Sequence, residues 1–228
     1  MLVRLVVLTA LLVAASALPA SADVFAPGVV VPGVLGGGAG PNQNGVVVAD
    51  FDGDGRDDLA VADPTRGGVR VLRSRGDGTF FPGERGAAGF QPYALGAIEL
   101  DPTTPGRELV VSSLVPSDIR VLARRPDGRW EPRQRLTVAT GPFDLAVGDI
   151  DGDDLADVVA LGVGGSVDLL LQRSGRLVPS VRQHIVARPY TISLGVAIAD
   201  LDDDGDADIA SADWLAGPLK SEIRTLLG

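Results

Sequence analysis

Three stretches of this chain carry aspartates at one repeated spacing, and aspartates so arranged are suited to binding a hard cation. The first reads Asp-Phe-Asp-Gly-Asp-Gly-Arg-Asp-Asp over residues 50–58 (loop A), and the pattern returns over residues 149–157 (loop C) and 200–208 (loop D). Carboxylates at positions 1, 3, 5 and 9, with a backbone carbonyl available at position 7, place about five oxygens around one point. Ca²⁺ is the best candidate because it accepts roughly six to eight oxygens in forgiving geometry.

The residues around these loops decide which kind of calcium loop they are. An EF-hand needs an acidic residue at position 12, and this chain has Val61, Ala160 and Ser211 there. The flanking segments, such as 46–49 and 59–61, are short apolar runs, which favour buried strands over helices of ten or more residues. Each loop is therefore predicted to join two β-strands.

The loops also reveal an internal repeat. Loops A, C and D start at residues 50, 149 and 200, and a degenerate copy over residues 99–108 (loop B) fills the gap, so the period is about 50 residues. Turn signals at 76–78 and 127–128 predict hairpins between later strands. Four strands in a unit of this length are typical of a β-propeller blade. The sequence therefore predicts an all-β, β-propeller type fold of four four-stranded blades, with repeats over about 24–80, 81–130, 131–177 and 178–228.

These motifs, with Gly-Asp-Gly-Thr-Phe at residues 76–80, resemble the FG-GAP/VCBS repeat of integrin-α-type propellers over nearly all of residues 24–228. In that family the loop joins the first two strands of a blade and holds Ca²⁺ structurally, on the face opposite the usual ligand-binding face. The resemblance implies up to three Ca²⁺ sites. Its ligands would be the carboxylates of Asp50, Asp52, Asp54, Asp58, Asp149, Asp151, Asp153, Asp157, Asp200, Asp202, Asp204 and Asp208, and the carbonyl oxygens of Arg56, Leu155 and Asp206.

The chain departs from the family pattern in three places. Asp154 stands where the pattern has glycine, at a position with positive φ, so loop C is expected to bind Ca²⁺ more weakly. Loop B carries an insertion, Pro102–Pro105, and lacks the third carboxylate, so it is expected to bind no metal. Full propellers of this family usually have seven blades, whereas this chain has four repeats. The four repeats could therefore also be part of an incomplete larger propeller.

The N-terminal residues predict export. Residues 1–22 contain an apolar stretch that runs through Leu18 and end in Ala20-Ser21-Ala22, which is typical of a secretory signal peptide cleaved after Ala22. We therefore expect a secreted, extracellular domain over residues 23–228. No other apolar run is long enough to span a bilayer. The chain has no cysteine, so an exported fold would lack disulfides and would need another constraint such as a metal.

The charge of the chain is concentrated in the loops. The net charge is −10, yet 16 of the 30 acidic residues lie in loops A, C and D. With calcium bound, the remaining surface is mildly basic. The chain shows no clustered basic helix or interleaved aromatic stripe, so no nucleic-acid partner is predicted.

The function predicted from the sequence is an exported, calcium-stabilised module that binds or scaffolds an extracellular protein or glycan. The alternatives are a polysaccharide-active enzyme, a lectin-like domain, or a partial propeller without independent activity. No serine-nucleophile elbow or phosphate-binding glycine loop appears, so no catalytic residue is predicted. The scarce aromatics Tyr93, Phe143, Tyr190 and Trp214 are interpreted mainly as packing between blades. The two chain ends could complete one blade between them, but four blades shaped for a larger ring would leave open edges. We therefore expect either self-association through these edges or a partner that covers them.

Overall fold

The short apolar runs beside the aspartate loops form β-strands in the computed structural model, which describes residues 45–138, 141–184, 191–215 and 220–228. The first two groups of strands, meander A (β1–β4) and meander B (β5–β8), are β1 Val46–Ala49, β2 Asp58–Asp63, β3 Gly68–Leu72, β4 Glu84–Ala87, β5 Phe90–Ile98, β6 Glu108–Val115, β7 Asp118–Arg124 and β8 Trp130–Thr137. The next two, meander C (β9–β12) and meander D (β13–β15), are β9 Asp144–Gly148, β10 Asp157–Leu161, β11 Ser166–Arg173, β12 Arg176–His184, β13 Thr191–Ala199, β14 Asp208–Leu215 and β15 Lys220–Leu226. A single turn of 3-10 helix, Val163–Gly165, connects β10 to β11.

Each meander is an antiparallel sheet whose strands follow one another in chain order. Meanders A and B have four strands each, and one parallel bridge between Gly86 and Trp130 joins their outermost strands into an eight-stranded sheet. Meander C is a separate four-stranded sheet, and meander D has three strands within the described residues. The all-β prediction is thus confirmed, with four successive meanders at about the predicted period. No helix in the described ranges has the length and apolar character that crossing a membrane requires.

Apolar side chains between successive meanders form three buried clusters. Between meanders A and B, Phe51 is fully buried and meets Trp130 edge to face, with ring centroids 5.8 Å apart. The second cluster, which includes Ile98 and Leu145, lies between B and C, and the third, which includes Val159 and Ile209, lies between C and D. Removing a fully buried ring such as that of Phe51 typically costs about 3–5 kcal/mol. Stacking of neighbouring meanders is therefore a main source of stability.

The aromatic residues with described side chains pack as the sequence predicts. Tyr93 in β5 and Phe143, just before β9, meet edge to face at 5.5 Å between ring centroids. They therefore pack meander B against meander C. Tyr190 and the side chain of Trp214 lie outside the described part of the structure, as do the proposed signal peptide and the repeat start at residue 24.

The predicted hairpins are also present. Gly76 and Gly78 have φ of 80° and 83° in the β3–β4 connection, and Gly128 has φ of 83° between β7 and β8. Residues other than glycine rarely adopt these angles. Loops A, B, C and D are in each case the connection from the first to the second strand of a meander, as predicted.

Neighbouring loops touch. The backbone N–H of Arg107 in loop B donates to the carbonyl oxygen of Asp50 in loop A, at 3.0 Å. A Cβ atom on Gly106 would lie 2.4 Å from the carbonyl oxygen of Phe51, so only glycine permits this approach. Pro105 of the insertion packs against Gly53 of loop A, since a Cβ atom on Gly53 would lie 2.5 Å from the Pro105 Cβ, so the insertion forms part of the contact between the loops.

Candidate metal centres

One buried aspartate fixes each of loops A, C and D. The position-9 residues Asp58, Asp157 and Asp208 start the second strand of their meanders and are 1%, 0% and 0% exposed. In each case Oδ2 accepts a hydrogen bond from the backbone N–H of position 2, which belongs to Phe51 (3.1 Å), Ile150 (3.0 Å) or Leu201 (2.7 Å). Oδ1 accepts a hydrogen bond from a backbone N–H that follows the last residue paired between the second and third strands. This N–H belongs to Ser74 (2.8 Å), Gln172 (2.6 Å) or Gly228 (2.8 Å). The same carboxylate therefore joins three backbone segments in every intact repeat.

The position-1 aspartate curls the loop. Asp50 accepts from the N–H of Gly53 at 2.7 Å and of Gly55 at 2.8 Å. Equivalent bonds hold loops C and D, from Gly152 and Asp154 to Asp149, and from Asp203 and Gly205 to Asp200. Because this carboxylate is held by the backbone of its own loop, it is presented towards the loop centre before any ion arrives.

Carboxylates from positions 1, 3 and 9 converge in all three loops. In each group, one oxygen from every residue lies within 4.8 Å of the others, and the groups are Asp50, Asp52 and Asp58; Asp149, Asp151 and Asp157; and Asp200, Asp202 and Asp208. Hard cations prefer such clustered carboxylate oxygens. Three of the four predicted carboxylates are thus brought together in each loop.

The position-5 carboxylates are held differently. Asp54, Asp153 and Asp204 lie outside these groups of three, and each accepts instead from the backbone N–H two residues later, at 2.9, 3.0 and 2.9 Å. The donors belong to Arg56, Leu155 and Asp206, the position-7 residues. That the carbonyl oxygens of these three residues and the position-5 carboxylates bind metal remains a prediction.

The loop backbone needs positive φ at positions 4 and 6. Glycine supplies it in loop A, where Gly53 has φ of 77° and Gly55 of 83°. Asp154 in loop C has φ of 64°, as expected from its place in the motif, and Asp203 in loop D has φ of 63°. The positive φ of Asp203 was not predicted from the sequence, although this residue too occupies a glycine position of the motif.

Electrostatic repulsion in the loops favours a bound cation. Burial raises the pKa of Asp58 and of Asp157, and the neighbouring loop carboxylates push in the same direction. The pKa of Asp202 is raised by partial loss of solvent and then by repulsion from Asp204 and Asp208. A divalent cation among these groups would remove the repulsion and favour their charged forms.

Arginines partly neutralise two of the loops. Arg73 donates to Asp52 in loop A at 3.2 Å, and Arg173 donates to Asp153 at 2.9 Å and to Asp151 in loop C. These ion pairs partly offset the repulsion between the acids of loops A and C.

In loop B a guanidinium lies among the acids instead. Glu108 takes the position-9 role, because its Oε2 accepts from the N–H of Leu100 at 3.0 Å, as Asp58 accepts from Phe51. Arg133 of β8 donates to Glu108 and, at 3.4 Å, to Asp101. A fixed positive charge thus joins positions 3 and 9 of this loop. No sequence motif indicates the role of Arg133, which lies 25 residues beyond Glu108.

Comparisons with known proteins agree with this geometry. Residues 50–101 and 149–211 match the model of the FG-GAP-like repeat. No curated protein is significantly similar to the chain. One similar solved structure is a functionally unknown protein from Desulfotomaculum acetoxidans DSM 771, with a TM-score of 0.54 and 15% identity over 80% of this chain.

Two further similar structures are of BBS1N in complex with ARL6DN, one soaked with lead and one with mercury. Their TM-scores are 0.55 and 0.52, and each is 18% identical over 81% of this chain. The chain spans 57–58% of the length of these three structures. Identities this low show similarity of fold alone. The match to the repeat model covers half of the chain, in the segments that contain loops A, C and D, and the chain belongs to the FG-GAP-like repeat family.

Proposed function

We propose that this chain is a calcium-binding, β-propeller type module that binds another macromolecule. The observation that carries the proposal is the convergence of three carboxylates in each of loops A, C and D, held by the same backbone hydrogen bonds. Carboxylates crowd together at a cost unless a cation joins them. Ca²⁺ suits these loops better than Mg²⁺, which requires a nearly ideal octahedron and gives up its waters reluctantly.

In this proposal the metal is structural. Each loop joins the first two strands of its meander, so a bound ion stiffens the point where loop, second strand and third strand meet. With dissociation constants of roughly 0.1–1 mM and millimolar calcium, each site would add about 0.4–1.4 kcal/mol of stability. Three such sites are significant against a total stability of roughly 5–15 kcal/mol.

We further propose that the four meanders are blades of an open arc. FG-GAP-like repeats imply a propeller-like fold, and the chain spans 57% of the similar BBS1N structure. Four blades would make up nearly the same fraction of a complete seven-bladed propeller. The arc would leave two sheet faces to be covered by a partner or by a second copy.

The partner is proposed to be an extracellular protein or glycan. The residues before the first strand have the features of a signal peptide cleaved after Ala22, which supports export. BBS1N was solved in complex with ARL6DN, so a propeller-like neighbour does bind a protein. FG-GAP-like repeat proteins are typically non-enzymatic, which favours a binding module over the polysaccharide-active enzyme.

Thermal unfolding of residues 23–228 tests the metal sites. We expect the melting temperature to fall on adding EDTA and to recover with Ca²⁺ more completely than with Mg²⁺. Asp52→Ala and Asp202→Ala should each remove part of this shift, because each deletes one converging carboxylate.

Asp101→Ala is the matched control, since Asp101 holds position 3 in loop B and pairs with Arg133. Its calcium-dependent shift should equal that of the unaltered protein. A melting temperature that does not respond to EDTA would show that the loops are ordinary surface turns. Secreted material that retains residues 1–22, seen by intact mass, would contradict the proposed processing.

A further inference from the structure

Meander B contains a cluster in which one carboxylate lies between two arginines. Arg120 in β7 stands directly opposite Arg135 in β8. Asp118, which is 1% exposed, accepts hydrogen bonds from Arg120 at 3.2–3.3 Å and from Arg135. Like charges opposite one another in a sheet are destabilising, and the buried carboxylate offsets that repulsion.

Meander A has the two arginines without the carboxylate. The strand registers align Arg70 with Arg120 and Arg85 with Arg135, since Val61 pairs with Arg70 as Val111 pairs with Arg120, and Arg70 in turn pairs with Arg85. The position of Asp118 is taken by Gly68. A Cβ atom on Gly68 would lie 2.5 Å from the carbonyl oxygen of Gly86, so no side chain fits there.

Meanders C and D also carry an acid on the third strand. In meander D, Glu222 holds the register position of Asp118, and Arg224 holds that of Arg120. In meander C, Asp168 holds the arginine position itself and stands opposite Arg182. Among the described sheets, meander A therefore combines an arginine pair with no acid on its third strand, and the acid that pairs with Gly68 is Asp63 of β2.

A small cavity lies where the acid is missing. Its volume is about 210 Å³, and Arg66, Arg85, Gly68 and Asp63 are among the residues that line it. Arg66, Arg70 and Arg85 form no ion pair with any acid in the described part of the chain. The buried Nε of Arg70, which pairs in register with Arg85 but does not line the cavity, has no hydrogen-bond partner among the described residues.

Asp63 leaves the cavity positive. Its carboxylate accepts from the hydroxyl of Thr65 at 2.6 Å, within the β2–β3 turn. One negative charge, that of Asp63, and the two arginines that line the cavity, Arg66 and Arg85, leave a net charge of about +1 there. The cavity lies at the end of meander A opposite loop A, because the β2–β3 turn and the β1–β2 loop are at opposite ends of β2.

We propose that this cavity receives an aspartate or glutamate side chain from a partner protein, which pairs with Arg66 and Arg85 much as Asp118 pairs with two arginines within meander B. The inference rests on the proposed function as a binding module and adds the site and the chemistry of its ligand. Guanidinium groups bind carboxylates through paired, charge-assisted hydrogen bonds. A volume of about 210 Å³ is below the usual range for small-molecule pockets, and it suits one acidic side chain better than a sugar ring.

Titration by two-dimensional NMR tests the proposal, with the arginine Nε–H signals as the readout and calcium present throughout. The probe is the peptide acetyl-Gly-Glu-Gly-amide, compared with acetyl-Gly-Gln-Gly-amide. We expect the glutamate peptide to shift the signals of Arg66 and Arg85. The affinity of the glutamine peptide should be lower by at least about ten-fold. Arg66→Gln with Arg85→Gln should abolish the binding, whereas Arg129→Gln, on the exposed β7–β8 hairpin, should leave it unchanged.

Three outcomes would overturn the proposal. They are the absence of shifts at Arg66 and Arg85, equal binding of both peptides, and binding that survives the double substitution. Stronger shifts with galacturonic acid or inorganic phosphate would also contradict it, because they would mean that the ligand of the cavity is a sugar acid or a phosphate rather than an acidic side chain. The calcium-dependent melt of the double variant should be unaltered, so failure of the metal sites and failure of this cavity give different results.

Discussion

Arg133 donates a hydrogen bond to Glu108, which is the buried acid of the one loop that departs from the calcium pattern. The Glu108 side chain is 3% exposed, whereas that of Arg133 is 33% exposed. Arg133 also reaches Asp101, so its guanidinium lies between the acids that correspond to positions 3 and 9. Loop B is thus tied by a covalently attached cation, where loops A, C and D have converging carboxylates.

Arg133→Met should therefore destabilise the protein whether or not calcium is present. Losing the partner of a mostly buried carboxylate costs about 1–3 kcal/mol. Urea denaturation with calcium and with EDTA measures this, and we expect the same loss in both conditions. Arg129→Met serves as the control, because no side-chain interaction of this exposed arginine is found among the described residues. A loss that calcium reverses would mean that a metal can take the place of Arg133.

Loops A and C should respond in opposite ways to exchange of their position-6 residues. Gly55→Asp places a side chain at φ of 83°, and Asp154→Gly removes one at φ of 64°. We expect calcium affinity to fall in loop A and to rise in loop C, each by about 0.5–1 kcal/mol, or roughly two- to five-fold. Calcium titration calorimetry checks both.

Gly78→Asp provides the control for this exchange. Gly78 has φ of 83° and no atom within 4 Å of an added Cβ, as is also true of Gly55, but it lies outside the loops. It should lower stability without changing calcium affinity. Equal affinities in all three variants would show that the backbone angle does not limit binding.

The stability of the contact between meanders C and D should depend on pH through Asp144. This carboxylate accepts a hydrogen bond from the backbone N–H of Val196 at 2.9 Å, and burial raises its pKa. An acid with a raised pKa in the folded state binds its proton more tightly when folded, so its unfavourable charge appears as pH rises above about 4. Asp144→Asn should therefore be more stable than the unaltered protein at pH 8, by about 1 kcal/mol, and equal to it near pH 3.

Chemical denaturation of both proteins across this pH range measures the difference. An Asp144→Asn protein that is less stable at pH 8 would contradict the prediction. It would mean that the hydrogen bond from Val196 to a charged oxygen outweighs the cost of burying the charge.

Exposed apolar residues at both ends of the row of meanders should drive association. Val46 and Val48 in β1 are 58% and 60% exposed, and Ile223 in β15 is 81% exposed. We expect calcium-loaded residues 23–228 to self-associate with rising concentration, and Val48→Lys to weaken the association by placing a charge in the contact. Sedimentation velocity and small-angle scattering test this. A compact monomer at every concentration would show that four blades close on themselves.

The loops and the strands beside them could be predicted from the sequence because both depend on local patterns. Asp50 and the glycines of loop A have a fixed spacing, and apolar runs such as Val46–Ala49 contain strand-forming residues. The strand β4 was harder to predict, since Glu84-Arg85-Gly86-Ala87 has no apolar run and lies beyond the Gly-Asp-Gly-Thr-Phe motif at residues 76–80. Its position follows from pairing with β3 rather than from its own residues.

Contacts between distant residues could not be predicted in this way. The carboxylate of Asp58 meets the N–H of Ser74 only after β2 and β3 pair, and Arg133 meets Glu108 only after β6, β7 and β8 form one sheet. The arginine pair of meander A became recognisable only when strand registers aligned Arg70 with Arg120. The spacing of residues along the sequence does not indicate which distant residues will meet when strands pair.

The buried acid at the start of the second strand closes the loop whether or not the loop has the carboxylates suited to binding a metal. Asp58, Glu108, Asp157 and Asp208 all hold the loop backbone, although only three of the four lie in a carboxylate group suited to metal. The residues that distinguish a metal loop from an arginine-tied loop are mostly exposed or half-buried. On the proposed function, the number of ions bound by a protein of this architecture can therefore change through a few surface substitutions, repeat by repeat, while the sheets beneath stay the same.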